Sequence, residues 1–288
     1  MRKSKLPFFI LIIFLIFISI LILNYFKKDI PLISPSPAVT PLQKVVGKAM
    51  EGIKGTYTIV IKNLKTGENY FQNEDKAYEA GSLYKLWVMA AVYDKINKGE
   101  LQEDQTLSQD IAVLNQEFGI SEDETELTDG KITLSVTDAL HQMIVISHNF
   151  AALLLTENIT NSRISKYLEE NGFLNSKLGT PPKTTAGDIA LFFEKLYHGE
   201  LVSKEYSERM INLLKEQKLN DGLPKYLPDK SKVANKTGDI GWFKHDAGIV
   251  FTDKGDFIIA ILSESDYPAG AQERIALVSK AAYDYFTK

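Results

Sequence analysis

Three short motifs contain the residue types that carry out acyl transfer at a serine hydroxyl. They are S-x-x-K at residues 82–85, S-x-N at residues 147–149 and K-T-G at residues 236–238, in that order along the chain. The first two patterns each occur once in the 288 residues. A serine becomes an effective nucleophile when a nearby base removes its proton, and a lysine of lowered pKa can be that base. The set therefore predicts a serine nucleophile with a lysine partner.

The first motif contains this pair. Gly81 precedes Ser82, and apolar residues recur at helical spacing through residues 83–96, so we expect a helix that begins at the serine. Lys85 then lies one turn later on the same face and can accept the proton of Ser82. Taken alone, the pattern is also typical of a serine that caps a helix and a lysine that is solvated. The other two motifs favour the catalytic interpretation.

The second and third motifs add a proton relay and binding groups. Ser147 can pass a proton to a leaving amine, and Asn149 can hold a substrate amide through its donor and acceptor. Lys236 is the cation that we expect to lower the pKa of the base lysine. K-T-G also occurs at residues 65–67, but that copy precedes the serine and has the composition of a hairpin turn. We therefore predict that the later copy is functional.

The elements that must position these motifs form an α+β pattern, with strands at both ends of the folded region and helices between them. Strands are predicted at residues 56–62, 68–72, 232–236, 247–251 and 257–262. Helices are predicted at residues 42–53, 82–98, after Ser135, and at 149–158, 164–170, 185–198, 204–217 and 271–286. Residues 102–131 are acidic and are predicted to be mostly loop. We expect one catalytic domain over residues 42–288, with a sheet lobe (42–80 and 226–288) and an all-helical lobe (81–225).

Composition excludes several classes of function. The formal net charge is −4, and the first 28 residues hold five basic and no acidic residues, so the remainder is more acidic still. Such a balance argues against nucleic acid as a partner. Cysteine is absent, which excludes disulfides, thiolate metal sites and a cysteine nucleophile. The four histidines are scattered without metal-ligand spacing, so we expect no metal and no cofactor. We expect a monomer.

The N-terminal region predicts a membrane anchor. Residues 6–23 form an apolar run about long enough to cross a bilayer as a helix. Aromatic and basic residues follow at 24–28 in place of a cleavage site, which favours a retained anchor over a signal peptide. The basic N-terminus should lie inside, so we expect a single-pass protein of the cell membrane with an extracytoplasmic catalytic domain. Residues 1–28 are then the tip and anchor, and residues 29–41, with four prolines, a stiff linker.

Four stretches resemble the class A β-lactamases, a family of penicillin-recognising serine hydrolases. AGSLYKLWVMAAVYDKINKGEL resembles their nucleophile helix, and ITLSVTDALHQMIVISHNFAALLL resembles the helices around their S-D-N loop. TTAGDIALFFEKLYHGELVS resembles a following helical stretch, and VANKTGDIGWFKHDAGIVF their third-motif strand and its return strand. The resemblance implies the β-lactamase/transpeptidase-like fold, an antiparallel sheet flanked by helices together with a helical lobe.

The same resemblance implies a role for each motif residue. Ser82 would be the nucleophile, Lys85 the general base and Ser147 the proton shuttle. The substrate-binding residues would be Asn149, Lys236, Thr237, Gly238 and Asp239. The backbone N–H groups of Ser82 and Asp239 would form the oxyanion hole.

The chain departs from the family pattern at three places. His148 stands where the family usually has Asp. Asp239 follows K-T-G where Ser, Thr or Ala is usual, and an acid there should weaken binding of a substrate carboxylate. The Glu of the family's Ω-loop has no counterpart, because only residues 179–183 separate the region of Leu178 from Thr184 and Thr185.

The sequence therefore predicts an acyl-serine hydrolase that acts on β-lactams or D-Ala-D-Ala-type peptides, with slow release of the acyl group. Two alternatives stay open. One is a DD-carboxypeptidase or penicillin-binding protein of cell-wall metabolism, and the other is a β-lactam or peptidoglycan sensor that does not turn over.

Overall fold

The computed structural model describes residue 18 and residues 40–288, so the predicted anchor at residues 6–23 falls almost wholly outside the described residues. No helix in the described part of the chain is both long and apolar enough to cross a bilayer. The chain divides between Thr40 and Pro41, and all elements below belong to the unit Pro41–Lys288. The anchor, the linker and the domain boundaries stay predictions.

Five strands form one antiparallel sheet in the order β2-β1-β9-β8-β7. Two further pairs, β3 with β6 and β4 with β5, lie outside it. The strands are β1 (Thr56–Asn63), β2 (Asn69–Gln72), β3 (Tyr78–Glu79), β4 (Thr106–Asp110), β5 (Lys131–Ser135), β6 (Lys183–Thr184), β7 (Val233–Ile240), β8 (Phe243–Val250) and β9 (Phe257–Glu264). The first and last strands of the chain therefore meet in one sheet, as the α+β pattern predicts.

Helices occupy the middle of the chain and both ends of the folded unit. They are α1 (Pro41–Ala49), α2 (Lys85–Asn97), α3 (Ile111–Phe118), α4 (Val136–Val145), α5 (Asn149–Ile159), α6 (Asn161–Glu170), α7 (Ala186–Tyr197), α8 (Lys204–Lys215) and α9 (Pro268–Phe286), with 3₁₀ turns at Gly81–Tyr84 and Lys230–Lys232. Ser135 caps α4 as predicted, because its hydroxyl accepts from Asp138 N at 3.0 Å.

The side chains of the central strands point alternately to the two faces of the sheet, and both faces are covered by helices. In β1, Ile59 and Ile61 pack on one face with residues of α1 and α9, whereas Val60 packs on the other face with the helical lobe. Successive side chains of a strand point to opposite faces, so a strand buried on both sides must be apolar throughout. The sheet is thus the layer between two hydrophobic cores.

Helix α2 is the central helix of the larger core. Every residue from Lys85 to Tyr93 is buried, and Trp87 retains 1% of its exposure. A helix that is apolar on all sides is surrounded by other elements rather than lying at the surface. The lysine of the first motif therefore begins a helix whose first nine residues are all buried.

Residues 102–131 contain more regular structure than the sequence predicts. They include β4, α3 and the first residue of β5, and the remaining residues, 102–105 and 119–130, are irregular. The loop prediction misses β4 and α3 because the buried residues Leu107, Ile111 and Leu114 are few and separated by polar side chains. Short elements with one narrow buried face give a weak periodic signal.

Candidate active site

Ser82 lies where the 3₁₀ turn Gly81–Tyr84 meets strand β7. Gly81 has a φ of +48°, and a Cβ built on it would lie 3.2 Å from Asp239 N. Gly238 is equally enclosed, since a Cβ there would lie 2.8 Å from Ala80 O. Both glycines are required by this close approach of turn and strand. The half-buried Ser82 is thereby placed beside the K-T-G strand.

The first turn at the serine differs from the predicted helix start. The 3₁₀ turn runs directly into α2, and Ala80 occupies the capping position without a side-chain cap. Residues three apart eclipse in a 3₁₀ turn, so Ser82 and Lys85 share a face. The Ser82 hydroxyl makes no hydrogen bond within the described residues and is therefore not an ordinary helix cap.

Lys85 is fully buried and points at the second motif. Its Nζ donates to Ser147 O at 2.6 Å, to Asn149 Oδ1 at 2.7 Å and to Ser147 Oγ at 3.2 Å. An ammonium has three hydrogens, so these acceptors account for its donors. The structure thus joins the first and second motifs through one lysine.

Lys236 reaches the same hydroxyl from the sheet side. Its Nζ donates to Ser147 Oγ and to Thr237 O, each at 3.0 Å. Ser147 itself has a φ of +58°, in the left-handed region that non-glycine residues rarely adopt. This backbone turns both its carbonyl and its hydroxyl toward the lysines, so Ser147 Oγ lies between the two amines.

Burial and proximity shift the pKa values of both lysines. The pKa of Lys85 is well below its usual value of 10.5, first because the amine is buried and second because Lys236 is nearby. Burial also lowers the pKa of Lys236 to about 7, although the carboxylate of Asp246 opposes the shift. A lysine of lowered pKa is partly neutral near neutral pH and can accept a proton.

Asn149 has a second partner that the motifs do not predict. Its Nδ2 donates to Glu126 Oε1 at 2.8 Å, on the opposite side of the amide from Lys85. The Glu126 carboxylate also raises the pKa of Lys85, against the larger effects of burial and Lys236. Nothing in the sequence separates Glu126 from the other acids of residues 121–130, so sequence reasoning missed this contact.

Asp239 is paired with Lys244, which modifies the expectation drawn from its charge. The two residues are opposite each other on β7 and β8, and Lys244 Nζ forms an ion pair with the Asp239 carboxylate. The lysine offsets the negative charge that would otherwise oppose a substrate carboxylate. Thr237 and Gly238 line the same cleft as this pair.

His245 and Asp246, the next two residues of β8, are structural. His245 Nε2 donates to Glu79 O at 2.8 Å while its Nδ1 accepts from Ser263 N at 3.1 Å, and burial lowers its pKa to about 4. Asp246 accepts from Leu223 N at 2.7 Å, and burial raises its pKa to about 7. Asp246 also accepts from Nδ2 of Asn235, the residue before the K-T-G motif, at 2.8 Å, whereas His245 lines the same cleft as Thr237 and Gly238.

The stretch after α6 contains no counterpart of the Ω-loop Glu. Residues 171–182 lead directly to β6, and Pro182 O accepts from Ala80 N at 2.8 Å. Glu169 and Glu170 lie on α6, and the Glu170 carboxylate is 3.4 Å from Lys166 Nζ. Neither acid hydrogen-bonds to a motif residue.

The earlier K-T-G copy lies in the turn between β1 and β2. Asn63 Oδ1 accepts from the backbone N–H groups of Lys65 and Thr66, at 3.0 and 2.9 Å. This is the geometry of an Asx-type turn, in which a side chain replaces a backbone acceptor. The turn makes no contact with the other motifs.

Comparison with known proteins places this arrangement in a family. The model of the beta-lactamase enzyme family matches residues 40–286. No curated protein sequence matches the chain significantly. A β-lactamase structure from Sphaerobacter thermophilus DSM 20745 is similar, with 24% identity over 85% of this chain and 97% of that chain and a TM-score of 0.74.

Two further structures share the fold. The TLA-3 extended-spectrum β-lactamase has a TM-score of 0.75, with 21% identity over 86% of this chain and 98% of its own. A variant of PBP-A in an acyl-enzyme complex with penicillin G has a TM-score of 0.74, with 21% identity over 85% and 96% of the two chains. The resemblance drawn from the motifs is confirmed, and the chain belongs to the beta-lactamase enzyme family.

Proposed function

We propose that the chain is a serine hydrolase that forms an acyl-enzyme on Ser82 with β-lactams or D-Ala-D-Ala-type peptides. One observation carries the proposal: Ser147 Oγ lies 3.2 Å from Lys85 Nζ and 3.0 Å from Lys236 Nζ, beside the turn that presents Ser82. This arrangement supplies a base near the nucleophile and a hydroxyl that exchanges protons with two amines. The acyl-enzyme of the PBP-A variant with penicillin G supports the choice of ligand.

The acylation step can be derived from these positions. Ser82 Oγ attacks the amide carbonyl while Lys85 takes its proton, and the backbone N–H groups of Ser82 and Asp239 stabilise the oxyanion. The carbon–nitrogen bond then breaks, and the leaving nitrogen receives a proton through Ser147. Asn149 binds the amide of the acyl side chain, and Lys236 with Thr237 binds the substrate carboxylate.

Release of the acyl group is expected to be slow. In class A enzymes the Ω-loop carboxylate activates the water that attacks the acyl-enzyme, and this chain has no acid at that place. A general base contributes about 10²–10⁴-fold, so a typical rate of about 10 per second becomes about 10⁻¹–10⁻³ per second. The adduct should then last roughly 10 to 1,000 seconds.

The missing carboxylate also supports a second candidate, a penicillin-binding protein or sensor that keeps its acyl group. Both candidates share acylation of Ser82 and differ only in the fate of the acyl-enzyme. A DD-carboxypeptidase would release D-Ala from a peptide ending in D-Ala-D-Ala, whereas a sensor would not.

Intact mass spectrometry of the full-length protein tests the proposal. Benzylpenicillin should add its whole mass to the wild-type protein, and the adduct should decay over seconds to minutes. Ser82→Ala should give no adduct while its circular dichroism is unchanged, and Ser165→Ala, at an exposed position of α6, should behave like the wild type. An adduct on Ser82→Ala would remove the central claim.

We also propose the cell membrane as the location, with the catalytic unit outside the cytoplasm and the protein a monomer. The support is the apolar run at residues 6–23, its basic flanks and the proline-rich linker.

A further inference from the structure

The side chain of Asn149 is oriented by two partners of opposite character. Lys85 Nζ donates to the amide oxygen at 2.7 Å, and a carboxylate can only accept, so Glu126 must take the amide nitrogen, at 2.8 Å. The amide is therefore fixed without ambiguity. One hydrogen on Asn149 Nδ2 binds Glu126, and the other stays available for a substrate carbonyl.

The segment that carries Glu126 is held in place by a small hydrogen-bond network. The neighbouring Leu127 O accepts from Asn115 Nδ2 and from Thr125 Oγ1, each at 2.8 Å, and Thr125 Oγ1 also donates to Asn115 Oδ1 at 3.1 Å. Asn115 is a nearly buried residue of α3. The backbone on both sides of Glu126 is thus tied to a helix, which places its carboxylate at the edge of the site.

The charge of Glu126 acts on Lys85 across Asn149 but is not neutralised by a direct ion pair in the part of the chain that the structure describes. The side chain is exposed, it forms no ion pair within the described residues, and residues 121–130 contain no lysine or arginine. In the proposed complex Asn149 Nδ2 donates to the carbonyl oxygen of the acyl side chain. A substituent on the α-carbon of that side chain is two bonds from the carbonyl carbon. Glu126 Oε1 is 2.8 Å from the same nitrogen, so such a group lies within a few ångströms of the carboxylate.

We propose that Glu126 is a specificity-determining residue that favours acyl donors with a protonated amine next to the carbonyl bound by Asn149. The inference rests on the proposed acylation of Ser82. An ammonium at that position pairs with the carboxylate, whereas a carboxylate there is repelled. The substrate class is therefore a β-lactam or peptide whose acyl part is cationic close to the amide.

Three penicillins that differ in one substituent test this. Benzylpenicillin is neutral at the carbon in question, ampicillin carries an amine and carbenicillin a carboxylate. Acylation rate constants of the full-length protein are measured by intact mass at pH 6.5 and low salt, where an α-amino group is mostly protonated. Comparing each variant with the wild type cancels the intrinsic reactivity of the three compounds.

Glu126→Gln should lower the ampicillin-to-carbenicillin rate ratio by roughly five- to tenfold, because each charged substituent contributes the few-fold effect of an exposed charge pair. Benzylpenicillin should change by less than about threefold, since a glutamine oxygen can still accept from Asn149. High salt should reduce the wild-type ratio. The matched control Glu122→Gln, an exposed acid of the same segment, should leave the ratio unchanged.

Thr125→Val provides a second variant that keeps the charge and loosens its support, and it should reduce the ratio partially. A ratio that is unchanged in Glu126→Gln, or an equal loss of rate with all three penicillins, would overturn the inference and leave acylation intact. Absence of any adduct with all three would instead overturn the proposed function.

Discussion

Lys244 on β8 forms an ion pair with Asp239 on β7, directly beside the threonine and glycine of the K-T-G motif. The side chain of Lys244 is only 16% exposed, whereas that of Asp239 is 62% exposed. The acid that should oppose an anionic substrate is thus accompanied by its own cation, and the charges of these two residues offset each other.

Removing Lys244 should leave the negative charge of Asp239 without its partner. We expect Lys244→Ala to slow acylation by the anionic benzylpenicillin about two- to fivefold, and Lys244→Ala combined with Asp239→Asn to recover most of the loss. Lys254→Ala, in the exposed turn before β9, is the control and should have no effect. Equal rates for the two Lys244 variants would show that the ion pair does not influence substrate binding.

Lys85→Ala should slow acylation by about 10²–10⁴-fold, because it removes the positioned base.

The acylation rate of the wild type should depend on pH, because the neutral fraction of a base increases as pH rises through its pKa. The lowered pKa of Lys85 therefore predicts an acylation rate that rises with pH and levels off well below pH 10.5. Stopped-flow acylation across pH measures both effects. Lys65→Ala, from the other K-T-G copy, should match the wild type, and a profile still rising at pH 10.5 would exclude Lys85 as the base.

His245 should make the protein sensitive to acid. Its folded-state pKa of about 4 lies below the usual 6.5, so its stabilisation is fully present above pH 6.5 and is lost as pH falls through about 4. The difference corresponds to about 3 kcal/mol of unfolding free energy. Urea unfolding between pH 4 and 7 should show a shallower pH dependence for His245→Gln than for the wild type. His198→Gln, at an exposed position, should retain the wild-type slope.

Gly222 and Gly47 should respond oppositely to alanine. A Cβ on Gly222 would lie 2.2 Å from Asp246 Oδ2, so Gly222→Ala should lower the unfolding free energy by about 1–3 kcal/mol. Gly47 lies inside α1 with no atom within 4 Å of a new Cβ, and Gly47→Ala should raise the unfolding free energy by about 0.5–1 kcal/mol. Chemical denaturation measures both, and similar losses for the two variants would contradict the steric argument.

The anchor can be tested by fractionation in a bacterial host. The full-length protein should stay with membranes after carbonate extraction and be cleaved only by protease added outside. A soluble mature form that begins near residue 30 would show that residues 6–23 are a cleaved signal peptide.

The motif residues of the site can be predicted from sequence because each belongs to a short recognisable pattern and the patterns follow one another in a set order. Ser82 and Lys85 share a turn, and Lys236 follows from the strand pattern of the third motif. Glu126 could not be predicted in this way, because it belongs to no such pattern and its contact with Asn149 depends on the support of a loop by Asn115. One acid among several on a loop has no distinguishing pattern.

The pairing of Asp239 with Lys244 could have been predicted from the sequence. Strand β8 begins at Phe243, four residues before its predicted start at residue 247. The two-residue turn at Gly241 and Trp242, with Gly241 at a φ of +53°, determines the register that sets the two residues opposite each other. Because the polar residues 244–246 separate Phe243 from the apolar run, that run alone places the start of the strand too late.

The left-handed backbone of Ser147 implies that stability and activity have opposite requirements at one position. A non-glycine residue in this conformation is strained by about 1 kcal/mol, and glycine would relieve the strain while keeping the carbonyl that accepts from Lys85. Glycine would also delete the hydroxyl between the two amines. In the proposed mechanism this position therefore exchanges folding stability for a hydroxyl that relays a proton, as expected where activity and stability conflict.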